Sequence, residues 1–125
     1  MANPSESGPE RPEGAALNAA ISQAIVHLLA ESTGRGPTKA RTTIDRDPIV
    51  VVLQNTLTPG ERYLAQNDRA DQVLNVRAAY QEAMRSACIT AIEELTDRTV
   101  SAFMSANHID PDIAAEIFVL DPETP

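Results

Sequence analysis

The densest positive charge in the chain lies in Gly34-Arg35-Gly36-Pro37-Thr38-Lys39-Ala40-Arg41, which runs on to Arg46. Arg35, Lys39, Arg41 and Arg46 stand there against Asp45 alone, a local charge of +3 in a chain of −8, which leaves the remainder at −11. A guanidinium can hold a carboxylate or bicarbonate through two parallel hydrogen bonds, and glycines let backbone N–H groups approach an oxyanion. Gly34, Arg35, Gly36, Lys39 and Arg41 are therefore the candidate anion- or partner-binding residues. The same residues also read as a glycine helix cap followed by a strand whose cations protect a sheet edge. The glycine spacing is not that of a nucleotide-hydrolysing phosphate loop.

His108, Asp110 and Asp112 alternate in Asn107-His108-Ile109-Asp110-Pro111-Asp112. An imidazole with two carboxylates can hold a divalent metal, but Asn and Asp-Pro are also common turn formers. Arg77 falls inside an apolar helical stripe. There it either snorkels its head outward, the reading favoured near a helix start, or pairs with a carboxylate. Cys88 shares that stripe and reads as core packing. No serine–histidine–acid set is singled out by spacing, so no catalytic residue is assigned, no cofactor is implied, and a non-enzymatic role is favoured over an enzymatic one.

The elements that position these residues follow from periodicity. Val73, Val76, Tyr80, Met84, Ala87, Cys88, Ala91, Ile92 and Leu95 recur at three- and four-residue spacings, which predicts a long helix over Asp71 to Leu95. Gln81, Glu82, Ser86, Thr90 and Glu93 then face water, and Ile89 points away from the stripe. A first helix is expected over Ala15 to Thr33, closed by Gly34, with His27 on its surface. Thr38 to Ile44 alternates as a strand with Lys39, Arg41 and Thr43 on one side. Asp45 to Pro48 reverses the chain into the aliphatic run Ile49 to Leu53, a central strand covered on both faces. Thr58-Pro59-Gly60-Glu61 is a capping box opening a short helix to Gln66. Thr99 to Ser105 reads as a third strand, with Val100, Ala102 and Met104 on one face and Phe103 on the other. Ala106 to Asp112 is a turn. Ile113 to Leu120 is a fourth strand, with Ala114, Glu116, Phe118 and Leu120 sharing one side.

The order α-β-β-α-α-β-β predicts an α+β fold with a four-stranded antiparallel sheet built from two hairpins. Residues 15–121 are expected to form one domain between a disordered tail at 1–14 and a short tail at 122–125. A chain of 125 residues with 42% apolar content can bury a core. Aromatics at 3% supply no stacking platform for nucleic acid, and the net charge of −8 opposes a phosphate backbone and an anionic membrane alike. No run is long enough to cross a bilayer, the N-terminus lacks a basic leader, and a lone cysteine suits a reducing cytoplasm. Apolar residues fall on both sides of the second strand, Phe103, Phe118 and Leu120 add to its second face, and the long helix can cover one side alone, so the second face needs another cover. A homodimer is the expected solution, and the first helix folded over that side of a monomer is the alternative.

Three blocks carry a family resemblance: Ala24 to Leu29 with Thr33 to Ala40, Ile49 to Leu53 with Thr56 to Thr58, and Glu93 to Thr96 with Ser105 to Asp112 and Phe118 to Leu120. Together they resemble the MpsC-like family, named for the C component of a Na+-translocating, membrane-potential-generating system. The resemblance implies a soluble accessory protein linked to cation or inorganic-carbon transport, with a membrane transporter subunit as a partner. It supplies no catalytic residues. The competing expectation is a regulatory domain that holds a small anion or a nucleotide on the Gly34–Arg46 segment.

Overall fold

A computed structural model describes residues 12–36 and 39–122. The expected N-terminal tail therefore lies outside the described residues up to position 11, as do Pro37, Thr38 and the last three residues. The elements run α1 (Gly14–Thr33), β1 (Lys39–Ile44), β2 (Pro48–Gln54), α2 (Pro59–Gln66), α3 (Ala70–Thr96), β3 (Val100–His108) and β4 (Ile113–Leu120). This is the expected α+β order, and the four strands form one antiparallel sheet in the order β1-β2-β4-β3.

Local chemistry sets the element boundaries. Gly34 adopts φ 78° and returns its N–H to the Ala30 carbonyl, a left-handed helix stop that a β-carbon would strain. The Thr58 hydroxyl accepts from the Glu61 N–H at 3.1 Å, while the Glu61 carboxylate accepts from the Thr58 N–H at 2.8 Å. This reciprocal pair starts α2 as the sequence indicates. Asp97, at φ 56°, ends α3, and Glu93 from its last turn accepts the Val100 N–H at 2.9 Å, which launches β3. Arg98 beside it donates to the Arg46 carbonyl, to Asp47 Oδ1 and to the Asp121 carbonyl. The β1–β2 turn, the start of β3 and the end of β4 are thereby tied at one corner.

Strand register sorts every side chain. The inward rows are Ile44–Ile49–Phe118–Phe103, Thr42–Val51–Glu116–Ser105 and Ala40–Leu53–Ala114–Asn107. Ile21, Ile25 and Leu29 of α1 and Met84, Cys88 and Ile92 of α3 pack on those rows. Each fully buried aliphatic or aromatic side chain contributes about 1.5–3 kcal/mol. The Phe103 and Phe118 rings meet at 4.9 Å between centroids.

Several sequence expectations are corrected here. Arg77 does not snorkel: it is 3% exposed and paired with Glu61 across α2. Gln81 is buried, because Asn107 and Glu116 of the sheet satisfy its amide. Val76 and Ala87, assigned to the stripe, are exposed. β3 runs three residues further than expected, to His108, so the turn is confined to residues 109–112. A bulge between Val100 and Ala102 places them on opposite faces, and Val100 packs into the core opposite Leu120. β2 is central, and within the single chain the helices cover one of its faces. Ile49, Val51 and Leu53 are fully buried, whereas Val52 is 37% exposed.

Candidate functional site

The five candidate anion-binding residues do not converge on one site. Gly34 is a helix cap. Gly36 packs against α1, where an added β-carbon would find ordinary contacts at 3.5 Å with Ala30 and Val26. Lys39 and Arg41 point to the outer side of the sheet, where they line a hollow with Val52 and Gln54. Arg35 instead lines a cleft of about 270 Å³ with Leu57, Pro59, Arg62, Tyr63 and Gln66. Arg46 lies by the corner where Arg98 accumulates its bonds. The segment thus presents its cations to different surroundings, and Arg62, which sequence reasoning did not single out, joins Arg35. Arg62 reaches the cleft from α2, a placement that no local pattern encodes.

The turn after His108 is built around Asp112. Its Oδ1 accepts from the Thr56 N–H and hydroxyl, and its Oδ2 accepts from the Leu57 N–H, each at 3.0 Å. Arg62 approaches Oδ2 at 3.7 Å. His108 Nδ1, at the end of β3, lies 2.8 Å from the Pro111 carbonyl of that turn. Among the described residues no group of three or more His, Cys, Asp or Glu side chains is placed to hold a metal ion. Asp112 fastens the entry to α2 onto the β3–β4 turn.

Beneath α3 runs a buried polar chain. Arg77 donates to Glu61 Oε1 at 3.4 Å and to the Thr56 carbonyl at 3.3 Å. One turn on, the Gln81 amide exchanges hydrogen bonds with Asn107 at 3.0 and 3.1 Å and donates to Glu116 Oε1 at 3.5 Å. The Ser105 hydroxyl donates to Glu116 Oε2. Glu116 is only 2% exposed. Burial pushes its carboxyl up to about 7, against the bonds from Ser105 and Gln81 and the charge of Arg77, which favour the ionised form. Burial, with a smaller push from Glu116, raises the Cys88 thiol to about 12, so it stays protonated and unreactive. Strand parity groups Glu116 with Phe118 and Leu120, and the sequence expectation sets Phe103, Phe118 and Leu120 on the second face, awaiting a partner. The structure instead places them, with Glu116, on the face covered by the helices, because α1 and α3 both pack there.

The outer sheet face has a different character. Its rows are Thr43–Val50–Ile117–Met104, Arg41–Val52–Ala115–Ala106, Lys39–Gln54–Ile113–His108 and Pro48–Val119–Ala102. The chain holds 18 Asp and Glu residues, and none occupies these paired outward positions. Val52 and Met104, the latter 50% exposed, stand among half-buried aliphatic neighbours. α1 shares the inner face with α3 and does not cross to this side.

No helix among the described residues is long and apolar enough to cross a membrane. No curated protein and no solved structure matches the chain significantly. A family model does match, over residues 14–122, which takes in every helix and strand just described. Its description, "Na+-translocating membrane potential-generating system (MpsC)", ties this fold to a cation-transporting system, and the chain belongs to the MpsC family.

Proposed function

We propose that this protein is a non-enzymatic accessory component of a cation- or inorganic-carbon-transport system, acts in the cytoplasm, and works as a homodimer closed through the outer sheet face. The acid-free outer face carries this reading. It combines an aliphatic centre with Lys39 and Arg41 at one edge, in a chain whose net charge is −8. A second copy suits it geometrically. Two sheets stacked face to face about a two-fold axis parallel to the strands place β1 of one copy over β3 of the other. The Lys39 and Arg41 pairs of the two copies then stay apart, and the Val50, Val52, Ala115 and Ile117 side chains meet in the middle.

Sedimentation equilibrium tests the dimer. Wild type is expected at twice the chain mass at micromolar concentration. Val52→Glu or Met104→Glu is expected at the chain mass with an unchanged circular-dichroism spectrum, since both positions are exposed in the single chain. A monomeric wild type at 100 times that concentration sinks the pairing. The accessory role is tested separately. Affinity purification of wild type from detergent-solubilised membranes is expected to recover a transporter subunit, and repeated recovery of none counts against it.

A further inference from the structure

We propose that the cleft between the end of α1 and the outer side of α2 binds a compact dianion, with Arg35 and Arg62 as its two cationic arms. This narrows the anion-binding reading of the Gly34–Arg46 segment to one of its cations and adds a second from a distant element. Arg35 lines the cleft with its Nε enclosed and without a hydrogen-bond partner. Its guanidinium makes no ion pair among the described residues.

Arg62 is the opposite wall. Its nearest carboxylate, Asp112, sits at 3.7 Å and already accepts three hydrogen bonds from Thr56 and Leu57. Arg62 is therefore held loosely and can turn toward Arg35. Two guanidinium groups facing one cleft repel each other, and an anion carrying two charges between them reverses the sign of that interaction.

The rest of the lining narrows the ligand. Leu57 and Pro59 give an apolar wall, the Tyr63 ring is 67% exposed at the rim, and the Gln66 amide adds a neutral polar group. A volume of about 270 Å³ falls below the usual range for drug-sized ligands, so the site suits a compact phosphate-type or dicarboxylate dianion and not a nucleotide. A neighbouring hollow shares Leu57, Arg62 and Gln66, but Asp110 and Asp112 line it. Those carboxylates repel an anion and confine it to the Arg35 side.

Isothermal titration at constant ionic strength, with inorganic phosphate, pyrophosphate and succinate as probes and chloride as the control, tests the site. At least one probe is expected to bind with one site per chain. Arg35→Gln and Arg62→Gln should each weaken binding roughly tenfold or more, as loss of a charge-assisted hydrogen bond does. Arg41→Gln, on the outer sheet face, should leave it unchanged. Arg62 is half-exposed, so its variant is expected to fold even if that of Arg35 does not. Binding confined to the phosphate probes identifies a phosphate-type ligand, and binding confined to succinate identifies a dicarboxylate; either result supports the site. No binding by any probe, binding that survives Arg62→Gln, or equal weakening by Arg41→Gln overturns it. The cleft shares no residue with the outer sheet rows, so this result is read separately from the oligomeric state.

Discussion

Replacing Arg77 with alanine is expected to destabilise the protein by about 3–5 kcal/mol, the cost of stripping one partner from a buried ion pair. The change strands Glu61, which is itself buried, and leaves the Thr56 carbonyl without the Arg77 donor. It also removes the positive charge that eases the ionisation of Glu116. Arg77→Met combined with Glu61→Leu should cost far less than the sum of the single changes, because the desolvation penalty of both charges disappears with them. Urea denaturation of the two single variants and the double measures this. A cost under about 1 kcal/mol for Arg77→Ala would show that water reaches the pair.

Stability is expected to fall as pH rises from about 4.5 to about 7, through Glu116. The folded protein holds this proton up to about 7, whereas the unfolded chain releases it near 4.5. Between those values the folded state binds more protons, so the stabilisation present below 4.5 is progressively lost, and above about 7 the difference is constant. The shift amounts to about 3 kcal/mol in all. Arg77, Gln81 and Cys88 of α3 and Ser105 and Asn107 of β3 surround the carboxyl, and Arg77 is the charged group among them. Glu116→Gln keeps the shape and removes the proton equilibrium. The difference between wild type and this variant, followed by chemical denaturation from pH 4 to 8, isolates the contribution from the other carboxylates. The variant should gain on wild type across that interval and exceed it at pH 8. Parallel pH profiles would mean that Glu116 titrates as an ordinary surface acid.

The polar chain under α3 also shows where reading from sequence succeeds and where it stops. The Thr58–Glu61 box, the Gly34 cap and the alternation of β4 depend on neighbours within a few residues, and each is found where the pattern puts it. Arg77 and Gln81 depend on partners 16 to 35 residues away, on α2, β3 and β4. Helical periodicity sorts side chains by polarity, so it sent Gln81 to water and pointed the Arg77 head outward. Neither inference could include a carboxylate or amide that the fold brings beneath the helix. The basic segment divides in the same manner. Strand alternation already set Lys39 and Arg41 on the side opposite Ala40 and Thr42, and that was enough to part them from the helix layer. Arg62 joins Arg35 through the tertiary placement of α2, whose entry Asp112 fastens to the β3–β4 turn.

The bulge in β3 has a consequence for how much chain this sheet requires. Ser101 is the surplus residue: Val100 opposes Leu120 and Ala102 opposes Val119, so the ladder passes from one to the other with Ser101 as an outward loop of one. A homologous strand shortened by that single residue would keep Val100 and Phe103 against the helices and Ala102 and Met104 on the far side. Loss of that one residue is thus silent to both surfaces, whereas a one-residue insertion or deletion anywhere from Phe103 to His108 would exchange them.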